Sequence, residues 1–416
     1  MVGASNRAEW TDDIQPFPNL WHSFEDQYPL NQNDSDALEQ MHQRLIDASN
    51  RYVGFPNSRI FSYSTLAKFL KFNINNIGDP YHPNSGMNTC DQEVELINFF
   101  SKMFKLCESE AWGSATNGSS ESTLFAMLAA RERFPDAHVL FSDQAHYCMP
   151  KNAYILNLPF SSIASDQYGR MCMNALEADI KKSTDRSIII VATIGTTFMG
   201  AIDPVADMIR LCEKYNVNYY MHLDAALLGP MLPFMKDGPT IDFTLPIDSL
   251  SFSAHKFLGM PIPYSFVLTR SKLKYQPCSA EYVGSIDTTI SSSKDGFTTL
   301  LVWEAVKRLG LQGFKELTEY TFALTHQIEK CLVDANISFK RQPHSNVIAF
   351  KKPSPSLCRK WQLSTKGDLA HMIPLPGVTM GMVNAFIDEL KIDALKIDEL
   401  KIDALKIDVG SVGSCV

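Results

Sequence analysis

Between residue 92 and about residue 300, predicted helices alternate with short apolar segments that are typical of buried strands. The predicted helices are 92–104, 119–134, 173–182 and 204–215. The predicted strands are 139–142, 188–194, 218–223, 249–253 and 265–269. Such alternation predicts an α/β fold in which helices cover both faces of a mostly parallel sheet. Ligands of such folds bind at the carboxyl ends of the strands.

Two of these predicted strands end in polar residues. The sequence HLDAA (222–226) places Asp224 at the end of one strand, and SAHK (253–256) places Lys256 just beyond another. A buried carboxylate beside a strand-end lysine suits the chemistry of pyridoxal 5′-phosphate (PLP). The lysine can hold that cofactor as an imine, and the acid can keep its pyridine nitrogen protonated. Either motif alone is weak, because an Asp at a strand end is usually a turn or cap residue.

The segment TNGSSES (116–122) is predicted to open a helix after a turn at Trp112-Gly113. Free backbone N–H groups, the helix dipole and two serine hydroxyls would together make a phosphate cradle. By itself this motif is more often an ordinary serine N-cap. The presence of a lysine suited to PLP elsewhere in the chain favours phosphate binding.

Further strand ends carry side chains suited to an aromatic cofactor. In SDQAHY (142–147), the imidazole of His146 could stack on a ring, although alone such a histidine is more often a core or helix-start residue. In ATIGTT (192–197), Thr197 offers a hydroxyl to a ring substituent. The small methyl group of Ala226 would let the opposite ring face lie flat.

The composition argues against several other classes of protein. With 416 residues, 45% of them hydrophobic, the chain can bury a large core, and its net charge of −8 does not suit nucleic acid or anionic membranes. The longest apolar stretch, 188–194, is too short to span a bilayer, and residues 1–13 contain no apolar run like that of a secretory signal. Nine cysteines without a Cys-x-x-Cys pair argue against a disulfide framework or a zinc site, and indicate a reducing, cytoplasmic compartment.

Changes of pattern divide the chain into four predicted parts. They are an N-terminal segment (1–60), a large cofactor-binding domain (61–299), a small α+β domain (300–386) and a repetitive tail (387–416). A helix is predicted at 36–48, and the Asn- and Pro-rich passage 75–84 is predicted to be an ordered turn or a loop. In the small domain, two helices (300–309 and 314–335) precede the predicted strands.

The tail alternates IDELK and IDALK with a period of five residues from Ile387 onward. Its residue types favour a helix, but this period turns the Ile and Leu positions through about 140° per repeat, so they form no single stripe. A coiled coil is disfavoured because the period is neither seven nor eleven. We interpret the tail as a duplicated or altered end and not as a functional module.

Taken as an ordered set, these motifs resemble the group II PLP-dependent amino-acid decarboxylases of fold type I, the fold of aspartate aminotransferase. The nearest likeness is to bacterial histidine decarboxylases and plant serine decarboxylases, and it extends from about Phe55 to Leu390. Besides the segments given above, it rests on NNIGDP (75–80), WGSATNG (112–118), IGTTFMGA (194–201), HKFLGMPIP (255–263), WQL (361–363) and GDLAH (367–371).

The resemblance implies a role for each matching residue. Lys256 would form the imine and Asp224 would pair with the pyridinium nitrogen, while His146 and Ala226 would cover the two ring faces. Thr197 would bind near the ring oxygen or the aspartate. The residues implied to hold the phosphate are Ser119, Ser120, Ser253 and His255.

The resemblance also implies an obligate homodimer with its active sites at the subunit interface. The N-terminal segment would embrace the partner subunit. A loop would deliver Tyr282 as the proton donor to the α carbon of the substrate. Residues 291–293 would approach the neighbouring phosphate, with Ser293 as a cofactor contact.

Two stretches depart from the family pattern. Relatives commonly read Ser-Arg-Asn-Gly-His where this chain has SKDGF (293–297), and Lys294 cannot reproduce the planar, bidentate contact of an arginine. We therefore expect a different arrangement of that interface. Met260 stands where the likeness suggests a small residue, which bears on substrate specificity if this segment lines the pocket. Tyr81 and His82 are further candidate substrate contacts, and a structural turn explains them equally well.

The sequence thus predicts a PLP-dependent carboxy-lyase that converts an L-amino acid to its amine and CO₂, with L-histidine to histamine favoured. Serine or another amino acid is the alternative substrate. An aldehyde-forming oxidative decarboxylase is an alternative function, against which Tyr282 argues. A non-catalytic protein on a decayed decarboxylase fold is another, against which the intact pair of Asp224 and Lys256 argues.

Overall fold

The computed structural model describes residues 28–56, 58–183, 186–273, 278–281 and 284–394. Contacts divide the chain into two compact units, Met1–Arg51 and Tyr52–Val416. In the first unit, helix α1 (Gln32–Ser49) contains the predicted helix 36–48. It starts earlier than predicted because Asn31 caps it: the side chain of Asn31 accepts a hydrogen bond from the backbone N–H of Asp34 at 3.0 Å.

The second unit contains the strands and the remaining helices of the described chain. Its strands are β1 (Asn75–Ile77), β2 (Ala111–Thr116), β3 (His138–Ser142), β4 (Phe160–Ile163), β5 (Ile188–Thr193), β6 (Tyr219–Asp224), β7 (Ser249–Ser253), β8 (Ser265–Arg270), β9 (Cys278–Ala280), β10 (Ser285–Asp287), β11 (Ser293–Asp295), β12 (Phe339–Arg341), β13 (Ile348–Lys351), β14 (Ser364–Lys366) and β15 (Leu369–Met372). Its α-helices are α2 (Cys90–Met103), α3 (Ser119–Arg133), α4 (Cys148–Ile155), α5 (Met173–Lys182), α6 (Val205–Lys214), α7 (Gly296–Asp334), α8 (Pro355–Lys360) and α9 (380–394). Within the described residues, no helix is both long and apolar enough to cross a bilayer.

Seven strands form the main sheet, in the spatial order β2-β8-β7-β6-β5-β3-β4. Strand β8 is antiparallel to both of its neighbours, and the other six strands run parallel to one another. Strand β5 is buried at every position, as expected for a strand that is covered on both faces. The predicted α/β fold with a mostly parallel sheet is therefore confirmed, and the carboxyl ends of β5, β6 and β7 lie side by side.

The predicted turn at Trp112-Gly113 is wrong, because both residues lie inside strand β2. A Cβ on Gly113 would lie 2.8 Å from the carbonyl oxygen of Val267, so the glycine permits a close approach of β2 and β8. The sequence prediction also lacks β2, β4 and α4. The sequence of β2 contains few β-branched residues, and β4 is a partly exposed edge strand, so neither gives a long apolar run. Passage 75–84 contains β1, which pairs with β11, and is otherwise a loop.

A second sheet, antiparallel and in the order β12-β13-β15-β14, lies in the C-terminal part of the chain. It shares a separate hydrophobic core with parts of helices α7, α8 and α9, in which Ile328, Phe350, Trp361 and Phe386 are buried. Helix α7 contains the two predicted helices, which meet at a break at Gly310 (φ 53°) without an intervening loop. The predicted domain limits stay a prediction.

Helix α9 carries the first residues of the repetitive tail into this core. Ile387 and Leu390 are buried, whereas Ile392 is 53% exposed. The carboxylate of Glu389 accepts hydrogen bonds from Lys360 Nζ at 2.7 Å and from Trp361 Nε1 at 3.1 Å. The helix predicted for the tail is thus present up to residue 394, and the later repeats lie outside the described residues.

Candidate active site

A cavity of about 600 Å³ opens where the parallel strands β5, β6 and β7 end. Its wall brings together segments that are far apart in the sequence. The predicted site residues in this wall are Ser119, Ser120, His146, Thr197, Asp224, Ala226, Ser253, His255 and Lys256. The two strand-end motifs and the predicted phosphate-binding segment therefore meet within one chain.

Asp224 and Lys256 come to the same edge of the sheet because β6 and β7 are parallel neighbours. Asp224 is the last residue of β6, is buried, and lies opposite Ser251 of β7. Its Oδ1 accepts a hydrogen bond from the backbone N–H of Ala226 at 3.2 Å. Lys256 follows β7 by three residues and lines the same cavity.

The two charged groups affect each other's proton affinity. Burial raises the pKa of the Asp224 carboxyl group, and the positive charge of Lys256 opposes this rise. Burial lowers the pKa of the Lys256 ammonium group, and the negative charge of Asp224 opposes this fall. A lysine with a lowered pKa presents more neutral amine at neutral pH, which is the form that attacks a carbonyl carbon.

Helix α3 begins at the cavity without a side-chain cap. Its N-cap residue is Gly118, which adopts φ 104°, a backbone conformation that favours glycine. The hydroxyl Oγ of Ser119 lies 2.7 Å from Ser253 Oγ and 3.0 Å from Ser265 Oγ, so hydroxyls from three elements meet at the helix start. Uncapped backbone N–H groups beside clustered hydroxyls are a favourable environment for a phosphate group.

Two further groups of the wall have capacity to bind a polar ligand. The hydroxyl of Thr193, the last residue of β5, is buried and has no hydrogen-bond partner within the described residues. The ring nitrogen Nδ1 of His255 lies 3.0 Å from the carbonyl oxygen of Tyr264 and 3.1 Å from its backbone N–H, so Nδ1 has a partner in either tautomer. Burial lowers the pKa of His255, so the ring is neutral at neutral pH.

His146 is a neutral, half-buried imidazole. Burial lowers its pKa to about 4, and the charges of Lys256 and Lys151 act in the same direction. Its Nδ1 accepts a hydrogen bond from the backbone N–H of Cys148 at 3.3 Å, and its ring centroid lies 4.1 Å from that of Tyr147. Such a ring is suited to stacking against a second aromatic ring.

The groups of this wall fit a phosphorylated aromatic aldehyde. The Lys256 amine can bond to an aldehyde, the Asp224 carboxylate can hold a protonated ring nitrogen, and the start of α3 can hold a phosphate group. A buried hydroxyl without a partner is uncommon in proteins, and a polar ligand would satisfy the hydroxyl of Thr193. The donor set is therefore the one that PLP requires.

Residues 57–352 match the pyridoxal-dependent decarboxylase conserved domain. The chain belongs to this family. A histidine decarboxylase of Vibrio campbellii is 35% identical to this decarboxylase over 366 residues, which cover 86% of this chain and 95% of the relative. Serine decarboxylase 2 of Oryza sativa subsp. japonica is 34% identical over 354 residues, which cover 84% of this chain and 76% of the relative.

Solved structures of decarboxylases share the fold. The L-methionine decarboxylase of Streptomyces sp. 590 superposes with a TM-score of 0.82 at 20% identity, covering 88% of this chain and 96% of the other. The glutamate decarboxylase of Lactobacillus brevis superposes with a TM-score of 0.74 at 19% identity, covering 89% and 93%. The family and fold type predicted from the sequence are confirmed, and this decarboxylase is a carboxy-lyase with PLP as its cofactor.

Two predicted contacts of this decarboxylase lie outside the cavity, on other elements of the chain. Ser293 belongs to β11, is exposed, and accepts a hydrogen bond from Asn75 Nδ2 at 3.2 Å. Met260 is buried in the main core, where its sulfur accepts a hydrogen bond from the hydroxyl of Tyr63 at 3.6 Å. Their predicted roles in binding cofactor and substrate stay predictions.

The structure also separates Tyr81 and His82 from the cavity. The hydroxyl of Tyr81 is buried and has no hydrogen-bond partner within the described residues. The imidazole of His82 is half exposed and lies 3.8 Å from the carboxylate of Asp79. Tyr282, the predicted proton donor, lies outside the described residues. The roles of these three residues also stay predictions.

Lys294, at the departure from the family pattern, is buried within its own chain. Its Nζ lies 2.7 Å from a carboxylate oxygen of Glu93 and 2.9 Å from the hydroxyl of Ser114. The same oxygen of Glu93 accepts a hydrogen bond from the backbone N–H of Ala115 at 2.9 Å. Phe297 lies in the first turn of α7 and packs against the main hydrophobic core. A point charge suffices for the contact that Lys294 makes, so a planar arginine is not needed here.

Several residues of the cavity wall have no counterpart among the predicted site residues. They are Gly54, Phe55, Pro56, Cys148, Thr193, Ser364, His371 and Ile373, among others. Ser364 and His371 belong to the second sheet, whose contact with the site no local pattern reveals. The available signal is that His371 ends the segment GDLAH, part of the family resemblance.

Proposed function

We propose that this enzyme removes the α-carboxyl group of L-histidine and releases histamine and CO₂. The observation that carries the proposal is the meeting of Asp224, Lys256 and the uncapped start of α3 in one cavity, which suits the ring nitrogen, aldehyde and phosphate of PLP. The similarity to histidine decarboxylases supports histidine as the substrate, and the similarity to serine decarboxylases makes serine the alternative.

Each residue of the cavity has its own task in binding the cofactor or in the reaction. When bound, PLP supplies an electron-withdrawing ring that stabilises the negative charge left on the α carbon as CO₂ departs. Lys256 Nζ would hold the cofactor covalently, and Asp224 would keep a proton on the ring nitrogen through a charge-assisted contact that is strong because Asp224 is buried. His146 and Ala226 would cover the two ring faces, and Thr197 would donate a hydrogen bond to a polar group near the ring.

The opposite end of the cofactor would be fixed by neutral donors. Ser119, Ser120 and Ser253 contribute hydroxyls, and the backbone N–H groups of the start of α3 contribute the positive end of the helix dipole. His255 would donate through Nε2 in the tautomer whose Nδ1 accepts from the backbone N–H of Tyr264. Rigid binding of the phosphate would hold the ring between His146 and Ala226.

Further parts of the proposal concern residues outside this cavity. We infer a homodimer in which Tyr282 protonates the α carbon of the substrate and Ser293 contacts the phosphate of the neighbouring subunit. Tyr81, His82 and Met260 are proposed substrate contacts. The exposed position of Ser293 outside its own cavity supports a role in a second subunit. The acidic net charge and the nine cysteines without a Cys-x-x-Cys pair support a cytoplasmic enzyme of a small molecule, without nucleic-acid or membrane partners.

The test is the production of amine and CO₂ from a panel of common L-amino acids by the enzyme supplied with PLP. We expect turnover of histidine, with loss of both products in Lys256→Ala and retention in Lys151→Ala, which removes a nearby exposed lysine. Turnover of serine alone would overturn the substrate and keep the reaction. Release of an aldehyde with hydrogen peroxide would overturn the reaction, and absence of any visible band of lysine-bound cofactor would overturn catalysis altogether.

A further inference from the structure

His371 makes two contacts that a neutral imidazole cannot both satisfy. It lies on β15, is buried, and lines the cavity. Its Nδ1 is 2.8 Å from the carbonyl oxygen of Phe198, and its Nε2 is 3.1 Å from the carbonyl oxygen of Gly54. A carbonyl oxygen only accepts hydrogen bonds, and a neutral imidazole has a single N–H group. Only the imidazolium form donates to both carbonyls.

The two carbonyls belong to separate segments of the cavity wall. Phe198 directly follows Thr197, a residue of the wall, and its ring stacks on His371 with 4.7 Å between centroids and 26° between planes. Gly54 begins the wall segment that continues with Phe55 and Pro56. A Cβ on Gly54 would lie 2.3 Å from the carbonyl oxygen of Gln362, so this segment is also packed tightly on the second sheet. His371 therefore connects three parts of the chain around one cavity.

We propose that His371 is a positioning residue that, as an imidazolium, clamps the Gly54 segment and the Phe198 turn together and so holds the cavity wall closed. On deprotonation the ring keeps one donor, and the lone pair of its other nitrogen faces a carbonyl oxygen. The shorter contact, to Phe198, is the one that a neutral ring keeps. The hydrogen bond from His371 to the carbonyl oxygen of Gly54 is then lost, and the Gly54 segment loosens. The proposal uses the proposed function only in taking this cavity as the active site, and it does not depend on the substrate.

The surroundings of the ring give the clamp its pH dependence. Burial lowers the pKa of His371, and the two carbonyl oxygens oppose that fall. The residues that contact or pair with His371 on the other elements, Gly54, Phe198, Ala349 and Ser364, are uncharged. The ionisable side chains that share the cavity wall are His146, Tyr147, Cys148, Asp224, His255 and Lys256, and the β14–β15 hairpin adds Lys366 and Asp368. Because this pKa lies below the ordinary value of about 6.5, the ring is mainly neutral and the clamp mainly open at neutral pH, and acidification engages it.

Hydrogen–deuterium exchange of the PLP-loaded enzyme without substrate tests this clamp. After correction for intrinsic rates, we expect peptides that contain Gly54 to exchange about tenfold more slowly at pH 5 than at pH 8, as for the loss of one charge-assisted hydrogen bond. In His371→Gln, which does not titrate, the difference between the two pH values should vanish. His326→Gln, on the exposed face of α7, should behave as the wild type.

Equal protection at both pH values in the wild type would overturn the clamp, as would a step that persists in His371→Gln. If that variant does not fold, nitrogen NMR of ring-labelled histidines in the wild type decides the matter. We expect one buried histidine with both ring nitrogens protonated at pH 5, and the absence of such a signal contradicts the proposal. A substrate other than histidine would leave all these results unchanged. Failure of the proposed function can therefore be distinguished from failure of the clamp.

Discussion

Gly259 lies so close to Ser58 that no side chain fits between them. A Cβ on Gly259 would be 2.1 Å from the carbonyl oxygen of Ser58, and the glycine adopts φ +68°. Gly259 follows Lys256 by three residues, and Ser58 lies just beyond the wall segment that ends at Pro56. The turn that carries the cofactor lysine is thus seated directly on the backbone beside the cavity wall.

Replacing Gly259 with alanine should displace this turn. We expect Gly259→Ala to lower the free energy of unfolding by about 2–4 kcal/mol, because it adds a backbone clash to an unfavourable φ. Gly367→Ala is the matched control: its φ is +58°, but a Cβ there meets no atom within 4 Å. Its cost should be about 1 kcal/mol. Urea unfolding of both variants measures the difference, and equal costs would contradict the packing argument.

Removing the charge of Asp224 should slow catalysis more than it weakens binding. Asp224→Asn keeps the shape of the side chain but cannot hold a proton on the ring nitrogen as an anion can. We expect kcat to fall by at least about 10²-fold, the usual effect of losing one preorganised electrostatic contact. The visible band of lysine-bound PLP should persist. Asp207→Asn, an exposed carboxylate on α6, should leave kcat unchanged, and an equal loss in both variants would contradict the assignment.

Acidification should destabilise the fold through His222. This residue is buried on β6, with its ring nitrogens 2.8 Å from Ser249 Oγ and 3.2 Å from Ser251 Oγ. Burial lowers its pKa to about 3. The unfolded chain binds the proton near its ordinary pKa of about 6.5, so the free energy of unfolding falls as the pH drops from about 6.5 towards 3.

The contribution of His222 to this slope approaches about 1.4 kcal/mol per pH unit. Urea unfolding at several pH values measures it. His222→Gln should flatten the slope between pH 6 and pH 4, and the exposed His326→Gln should not. If the slope of His222→Gln matches that of the wild type, the buried histidine is not the group that titrates.

Breaking the buried pair of Lys294 and Glu93 should destabilise the protein more than replacing both residues together. Lys294→Met leaves the Glu93 carboxylate buried without its cation, and Glu93→Gln leaves the ammonium without its anion. We expect each single variant to lose about 3–5 kcal/mol of stability. The double variant should lose clearly less than the sum of the two. Chemical denaturation of all four proteins completes the cycle, and strict additivity would show that the two charges do not interact.

The first two isoleucines of the tail, one from each of the first two repeats, should differ in their effect on stability because only one of them faces the core. Ile387 is 4% exposed and Ile392 is 53% exposed, although both occupy the same position of the repeat. Ile387→Ala should cost about 2–4 kcal/mol, and Ile392→Ala should stay within about 0.5 kcal/mol. Thermal or urea unfolding compares them. Similar costs would mean that the helix does not present one face to the core.

The main sheet could be predicted because its central strands are buried on both faces and so read as unbroken apolar runs. Strand β5 is the clearest example. Strand β2 could not, since its stability comes from pairing with β8, more than a hundred residues later. The residues around β2 in the sequence contain no sign of its pairing with β8. Nor do they show why Trp112-Gly113 extends as a strand instead of turning.

The site could be predicted as far as it depends on strand ends. Asp224 and Lys256 follow neighbouring parallel strands, and the geometry of such strands brings their ends together. His371 could not be assigned a role, because its contacts reach Phe198 and Gly54 in segments that no spacing rule connects. The partner of Lys294 was hidden for the same reason: Glu93 lies 201 positions away.

The pairing of Lys294 with Glu93 also constrains how this lineage can change. Each side chain neutralises the buried charge of the other, so a single substitution at either position leaves an unpaired charge inside the protein. Sequences that descend from this one should therefore keep both residues, or change both within a short evolutionary interval. Among its relatives, an acidic residue at the position of Glu93 should accompany a basic one at the position of Lys294, and chains that lack one should lack the other.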